Sequence, residues 1–193
     1  MPLPDHKPAL LCHPLTPAPM VRSVEAGVSR SADGCLVFFY RLCGDMARLL
    51  IPTPQTTTRN DGLWEHTCFE AFVAVAGNTA YREFNFSPSG QWAAYAFSGY
   101  RQPEASPVLT QPPQISILLT AGRLELTSVI SGDILPLVPT APELQIGLSA
   151  IIESTDTLEG CRSYWALRHP AARPDFHHRD SFVLEFPAAK RLI

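Results

Sequence analysis

The chain has 193 residues, of which 19 are proline, 17% are charged and 46% are hydrophobic, which excludes a disordered protein because so apolar a chain can bury enough surface to fold. The prolines also exclude a mainly helical bundle, since proline removes a backbone donor and clashes inside helices. The formal net charge is −3 and the basic residues are scattered, which excludes the clustered basic surface of nucleic-acid-binding and membrane-surface proteins.

The N-terminal residues 1–20 are rich in proline and contain no long apolar stretch. This composition predicts an arm outside the core, followed by a single ligand-binding domain over residues 21–193. No segment has the features of an export signal or a transmembrane helix. The five cysteines form an odd set without a CxxC pair, so we expect free thiols in a cytoplasmic protein.

From residue 21 onward, short apolar runs alternate with turn sequences such as SADG, AGN, SPSG and TAG. Several runs show strict period-two alternation, and none shows a sustained helical period. About ten short strands at intervals of about ten residues predict an all-β protein, an antiparallel β-sandwich of the jelly-roll or immunoglobulin-like kind. The predicted strands are 36–42, 48–51, 67–76, 80–86, 91–100, 115–120, 123–130, 144–153, 162–168 and 181–186.

Side chains that carry chemistry concentrate between residues 62 and 101. If a strand begins at Trp64, alternation places five side chains on one of its faces: Trp64, His66, Cys68, Glu70 and Phe72. The corresponding face of the next strand carries Tyr81, Glu83 and Asn85. Hairpin pairing brings such faces within about 5 Å of each other across the ladder.

Glu70 is a carboxylate inside an apolar run, which is costly unless it is paired. One interpretation is an ion pair with a core arginine, Arg82 or Arg101, that sets the strand register. The other is a polar pocket in which Glu70, Glu83 and Asn85 lie beneath an aromatic side chain. Such a pocket suits a sugar, whose C–H face lies on the ring and whose hydroxyls bind carboxylates.

Four stretches of the sequence resemble DOMON-like domains related to family 9 carbohydrate-binding modules. They are LWEHTCFEAFV, YREFNFSPSGQWAAY, SYWALRHP and PDFHHRDSFVLEF. The resemblance extends from about Val21 to Phe186 and is strongest in the W-E-x-x-x-x-E-x-F pattern that begins at Trp64. These modules are jelly-roll-like sandwiches that hold sugar ends between two aromatic side chains. The resemblance therefore implies that Trp64 is one wall of a sugar site and Glu70 a hydroxyl acceptor, with Glu83 and Asn85 as further contacts.

Two positions depart from the family pattern. The second aromatic wall falls at Phe176 rather than at a tryptophan, and a basic contact of the family falls at Glu83. The ligand predicted from the resemblance is a saccharide or a similar polyhydroxylated compound. The prediction is a non-catalytic binding domain without a cofactor, with no nucleic-acid or membrane partner.

Alternative functions stay open at this point. A haem- or metal-binding DOMON-type domain would draw on Met46 and on four histidines, namely His66, His169, His177 and His178. A protein-interaction module would use the N-terminal arm or a sandwich edge. No G-x-S-x-G, HExxH or P-loop pattern is present. Glu70 and Glu83 could serve a glycosidase only at a suitable separation, and the family resemblance implies binding alone.

Two tryptophans outside this site carry separate predictions. Trp92 is expected, together with Tyr95 of the same run, to pack on or into the sandwich, and Trp92 is the better candidate for exposure. Trp165 is expected either in the core or at the floor of the pocket.

Overall fold

The structure, a computed structural model, describes residues 7–107, 109, 111–131, 143–156 and 161–186. The described residues contain three short 3-10 helices, Met46–Arg48, Leu63–Glu65 and Arg179–Ser181, and no α-helix. The strands are β1 (Ala9–Cys12), β2 (Val21–Arg30), β3 (Leu36–Gly44), β4 (Cys68–Val75), β5 (Tyr81–Phe86), β6 (Trp92–Gly99), β7 (Gln102–Pro103), β8 (Gln114–Thr120), β9 (Arg123–Ile130), β10 (Leu144–Ser154), β11 (Cys161–Ala166) and β12 (Leu184–Phe186).

The strands form one large antiparallel sheet in the order β7-β6-β5-β4-β10-β11-β1-β2-β3-β9-β8, with β12 paired to β10. The sheet is not closed into a barrel. Strand β1 joins the two halves, because Leu10 pairs with Val24 of β2 while Leu11 pairs with Ala166 of β11. We call the half from β2 to β8 layer A and the half from β7 to β11 layer B. The prediction of an all-β antiparallel fold is confirmed.

Layers A and B pack face to face, which makes the fold a sandwich. The ring of Tyr40 in β3 lies 5.0 Å from the ring of Phe69 in β4. The Tyr40 hydroxyl also donates a hydrogen bond of 2.7 Å to the backbone carbonyl of Glu70. Alternate residues of β3, β4, β9 and β10 point into this interior and are almost fully buried. Their aromatic and branched side chains suit pleated, packed surfaces.

Strand β4 is buried on both of its faces, so all eight of its residues are buried. Its second face is covered by the C-terminal segment 167–183. The ring of Phe182 in this segment lies over Gly147 of β10, where a Cβ atom would come within 2.8 Å of the ring. Burial on two sides explains why the β4 sequence reads as an almost continuous apolar run rather than an alternation.

Three expectations need correction. Residues 9–12 of the predicted arm form β1 inside the sheet, where Leu10 is buried, because the prolines flank this strand and leave it free to pair. The predicted strand 48–51 is the end of the 3-10 helix Met46–Arg48 followed by a single bridge between Leu49 and Ser154. Strands β2 and β7 were not among the predicted runs.

The two tryptophans outside the predicted site lie in the core. Trp92, expected as the more exposed residue of its strand, is buried, because its side chain points between the layers. Trp165 is buried in the same core, and its indole nitrogen donates to Ser163 Oγ at 2.9 Å. The five cysteines all lie in described segments and none is disulfide-bonded. Among the described residues, no helix has the length and hydropathy that crossing a membrane requires.

Candidate functional site

A cleft of about 430 Å³ opens on the outer face of layer B, between the strands and the C-terminal segment. Its floor comes from β4, β5, β6 and β10, and its sides come from the loops at either end of these strands. The lining residues are Trp64, Glu70, Glu83, Tyr95, Phe97, Arg101, Pro103, Ile151, Tyr164, Pro174, Phe176 and His177.

The structure brings four of the five predicted site residues to this cleft: Trp64, Glu70, Glu83 and Phe176. The fifth, Asn85, does not line the cleft and is fully buried beneath it. Its Nδ2 atom donates to Glu83 Oε1 at 2.9 Å, so it orients the carboxyl group of Glu83. Its Oδ1 atom has no hydrogen-bond partner among the described residues.

Strand register explains why the two carboxyl groups lie together. In the β4–β5 hairpin Glu70 pairs with Asn85, and Phe72 pairs with Glu83. Glu70 and Glu83 are therefore diagonal neighbours on one face, and Cα atoms in such a relation lie roughly 7–8 Å apart. The predicted face for these residues is the face that the cleft exposes.

Trp64 reaches the cleft by a route different from the one predicted. It does not belong to the strand, since β4 begins at Cys68, and it lies in the 3-10 helix Leu63–Glu65. Gly62, with φ of 77°, starts this helix in a left-handed conformation that favours glycine. The Trp64 side chain is 40% exposed and packs edge-on against Tyr95, with the ring centroids 5.8 Å apart.

Glu83 has more polar contacts than Glu70. It is 5% exposed, and its Oε1 atom accepts from Asn85. Its Oε2 atom lies 3.7 Å from Nε2 of His177. Burial raises the pKa of Glu83 to about 7, against the lowering effects of the Asn85 bond and the charge of Arg101. Near neutral pH this group therefore exists in both protonation states.

Glu70 is 3% exposed and has few partners. The hydroxyl of Ser149 in β10 donates to its Oε2 atom at 3.4 Å. Burial, followed by the nearby carboxyl of Glu83, raises the pKa of Glu70 well above its usual value. Among the described residues Glu70 makes no ion pair with Arg82 or Arg101, so the interpretation as a register-setting ion pair is wrong. Arg82 points to the opposite face of β5, and Arg101 is engaged elsewhere.

His177 connects the C-terminal segment to the floor. Its Nδ1 atom lies 2.8 Å from the Tyr81 hydroxyl, and its ring packs edge-on against Phe97 at 5.1 Å. Burial, followed by the charge of Arg101, lowers the pKa of His177 to about 4. The imidazole is therefore neutral near pH 7, and its approach to Glu83 is a contact between polar groups rather than an ion pair.

Arg101 is the cation at the mouth of the cleft. Its Nη2 atom donates to Asp175 Oδ1 at 3.0 Å, and the other oxygen of Asp175 accepts from Tyr100 at 2.7 Å. The backbone of Arg101 has φ of 51°, a left-handed conformation that is uncommon outside glycine. Its backbone N–H donates to the hydroxyl of Tyr81 at 3.2 Å. These contacts bind the β6–β7 turn to the C-terminal segment.

Aromatic side chains form the walls. Tyr164 and Phe176 lie 6.0 Å apart on one side, with Phe176 only 8% exposed. Tyr95 and Trp64 stand on another side, and the Tyr95 hydroxyl donates to Asp61 at 2.8 Å. The cleft thus combines several aromatic surfaces with a small number of polar groups, an arrangement common in small-molecule sites.

The described residues contain no group of three or more His, Cys, Asp or Glu side chains placed to hold a metal ion. The four histidines of the metal and haem hypotheses contact other groups. His169 contacts the backbone oxygen of Leu11 at 2.8 Å, His66 contacts Glu153 at 2.9 Å, His177 contacts Tyr81, and His178 accepts from the backbone N–H of Asp180 at 3.3 Å.

Several lining residues were missed by sequence reasoning, chiefly Tyr95, Phe97, Tyr164 and His177. Period-two alternation along β6 already puts Tyr95 and Phe97 on the face of Glu83, so this signal was available. His177 was considered only as a metal or haem ligand. The position of Tyr164 depends on β11 lying beside β10, which the local pattern does not reveal.

Comparisons with known proteins concern the fold. No protein-family model matches this chain, and no curated protein matches it. A crystal structure of a candidate carbohydrate-binding protein from Bacteroides uniformis is similar, with a TM-score of 0.53 and 15% sequence identity. The alignment covers 86% of this chain and 77% of that protein. At this identity the two chains share an architecture.

Proposed function

We propose that this protein is a non-catalytic binding domain that holds a saccharide or a similar polyhydroxylated ligand in the aromatic-walled cleft. The observation that carries the proposal is the meeting of Trp64, Glu70, Glu83 and Phe176 around one cleft. The fold shared with a candidate carbohydrate-binding protein adds support. Assignment to DOMON-like domains related to family 9 carbohydrate-binding modules is part of the same proposal.

The chemistry of the cleft suits a polyhydroxylated ring. Aromatic walls accept the C–H faces of a sugar, and Trp64 is exposed enough to present its ring to a ligand. A carboxyl group that titrates near neutrality both donates and accepts hydrogen bonds, as a hydroxyl group does. Glu83 therefore offers a hydroxyl group either kind of partner.

Titration calorimetry with a panel of mono- and oligosaccharides tests this role. We expect saturable binding by the wild-type protein and an affinity at least about tenfold weaker in Trp64→Ala, because one stacking surface is lost. Tryptophan fluorescence gives a second readout, since Trp64 is exposed whereas Trp92 and Trp165 are buried.

The matched control is Leu119→Ala, which removes an exposed apolar side chain from β8 in layer A. This variant is expected to bind the panel as the wild-type protein does. No binding by the wild-type protein, or an unchanged affinity in Trp64→Ala, would refute the proposed site.

The proposal of binding without catalysis is supported by the fold shared with a candidate carbohydrate-binding protein. A glycosidase would use Glu70 and Glu83 as a carboxyl pair that flanks the glycosidic bond, so an assay of hydrolysis tests this part of the proposal. We expect no release of phenol from aryl glycosides. Release that disappears in Glu83→Gln would contradict a purely binding role.

A further inference from the structure

We propose that the cleft selects polyhydroxylated ligands that carry an ammonium group, such as an amino sugar, by pairing that group with the carboxyl groups of Glu70 and Glu83. This inference rests on the proposed saccharide-binding role and narrows it to one ligand class.

The first support is that both carboxyl groups lack a cationic partner. Within the described residues, no lysine or arginine nitrogen lies within 4.0 Å of Glu70 or Glu83, although both carboxyl groups are buried. The Oε2 atom of Glu70 accepts one long hydrogen bond of 3.4 Å from the hydroxyl of Ser149. Buried carboxylates are normally compensated by a cation. A ligand ammonium group would supply it.

The second support is that the nearby basic groups do not supply this charge. Arg101 donates to Asp175 and is half exposed at the mouth, and although its charge lowers the pKa of Glu70 and Glu83, burial outweighs this effect in both. The imidazole of His177 is neutral near pH 7, because burial lowers its pKa to about 4, and its Nδ1 atom lies 2.8 Å from the Tyr81 hydroxyl. The floor of the cleft is therefore acidic when Glu70 and Glu83 ionise.

The third support comes from the aromatic walls. A cation close to the face of tryptophan or tyrosine is attracted by the ring quadrupole, and the attraction increases when water is excluded. Trp64, Tyr95, Tyr164 and Phe176 surround the same cleft as the two carboxyl groups. The walls that accept the apolar face of a sugar thus also tolerate an ammonium substituent.

The charged and titratable groups around the carboxyl pair define how binding depends on pH. They are Tyr40, Cys68, Tyr81, Tyr95, Arg101, Tyr164, Asp175 and His177. Between about pH 5.5 and about pH 7, Tyr40, Tyr81 and Tyr95 stay neutral because burial raises their pKa values, while Arg101 stays charged and Asp175 stays ionised. Cys68 stays protonated because burial raises its pKa, and His177 stays mainly neutral. Changes in binding across this range therefore report chiefly on Glu83, whose pKa is about 7.

The experiment compares glucosamine with glucose and N-acetylglucosamine by calorimetry on the full chain. These ligands share a ring and differ in the presence of a positive charge. At about pH 7 we expect glucosamine to bind at least about tenfold more tightly than either neutral sugar, as hydrogen bonds to charged groups are stronger. At about pH 5.5 the ammonium group is still protonated while Glu83, whose pKa is about 7, is mostly protonated, so this preference should fall several-fold.

Equal affinities for the three sugars at about pH 7 would overturn the ammonium inference and leave the saccharide role standing. Cyclohexylamine, a ring with an ammonium group and no hydroxyls, tests the opposite case, in which the site binds ammonium groups but not saccharides. If it binds as tightly as glucosamine while glucose does not bind, the saccharide role fails and the ammonium site stands. No binding by any of the four compounds would overturn both.

Two variants test whether Glu70 and Glu83 are the source of the preference for glucosamine. Glu83→Gln and Glu70→Gln keep the size of the side chain and are expected to reduce the preference for glucosamine to less than about threefold. The matched control is Glu143→Gln, an exposed carboxylate beside Ala76 beyond the far end of β4. A preference that persists in both cleft variants would overturn the inference.

Discussion

The two faces of β4 are buried to the same degree, yet they are chemically different. The inner face, with Phe69, Ala71 and Val73, meets layer A and carries only apolar side chains. The outer face places Glu70 between Cys68 and Phe72 beneath the C-terminal segment. Burial alone therefore does not distinguish core from site. The distinguishing feature is a carboxyl group whose hydrogen bonds are incomplete and which borders an open cleft.

The coverings of the two faces explain this difference. Layer A is another sheet, and its side chains fill the space against β4 at close-packed density. The outer face is covered by a loop segment that touches it at Phe176, His177 and Phe182 and leaves about 430 Å³ open between these contacts. We therefore expect substitutions on the inner face to lower stability, and substitutions on the outer face to change the pH dependence of stability or ligand binding.

The largest effect is expected on the inner face. Phe69→Ala removes a fully buried ring that packs against Tyr40, and we expect it to lower the free energy of unfolding by about 3–5 kcal/mol. Urea denaturation measures this loss. Phe69→Leu, which keeps most of the volume, should lose about 1 kcal/mol. Equal losses in the two variants would contradict close packing between the layers.

On the outer face, Glu83→Gln should change how stability depends on pH. The pKa of Glu83 in the folded protein, about 7, lies above the ordinary value of 4.5, so the folded state holds the proton more tightly. The protonated carboxyl group of Glu83 makes its full contribution to the free energy of unfolding below about pH 4.5. That contribution, roughly 3 kcal/mol, is lost as the pH rises through about 7. Glutamine cannot ionise. We therefore expect the variant to gain about that amount relative to wild type between about pH 4.5 and about pH 8.

Urea denaturation at the two pH values measures this relative gain. The lowered pKa of His177 acts in the opposite direction, but it contributes to both proteins and largely cancels in the difference. Glu143→Gln is again the control, because its carboxylate is exposed. If the difference in free energy of unfolding between Glu83→Gln and wild type does not vary with pH, the raised pKa of the buried Glu83 carboxyl group is contradicted.

A smaller effect is expected where the C-terminal segment rests on the sheet. Gly147→Ala would place a Cβ atom 2.8 Å from the ring of Phe182, so we expect a loss of about 1–3 kcal/mol in the free energy of unfolding. The double variant Gly147→Ala with Phe182→Leu should recover part of it, because leucine needs less space. A loss below about 0.5 kcal/mol in the single variant would mean that the segment moves freely.

The smallest effect on stability is expected at the rim of the cleft. Trp64 is 40% exposed, so Trp64→Ala should change the free energy of unfolding by less than about 1 kcal/mol while it weakens saccharide binding. Trp165→Ala serves as the buried comparison and should cost about 3–5 kcal/mol. Thermal denaturation of the two variants distinguishes them. Similar losses would show that Trp64 belongs to the core.

Most strands could be predicted from the sequence because alternation and turn residues are local signals. The β4–β5 hairpin brings Glu70, Glu83 and Asn85 to one face as alternation predicted. Other predictions failed where a distant partner decides the outcome. Strand β1 exists because β2 and β11 lie on either side of it. Trp92 is buried because its face of layer B meets layer A.

The sequence by itself determined the all-β class and which side chains share a face of each strand, since both depend on the period of two along a single strand. Only the tertiary structure decided what covers each face of β4, namely layer A on the inner face and the C-terminal segment on the outer face. It also decided that Arg101 pairs with Asp175 rather than with Glu70. The physical reason is that burial and charge pairing depend on which distant segments pack together, and long-range packing leaves no periodic trace in the sequence.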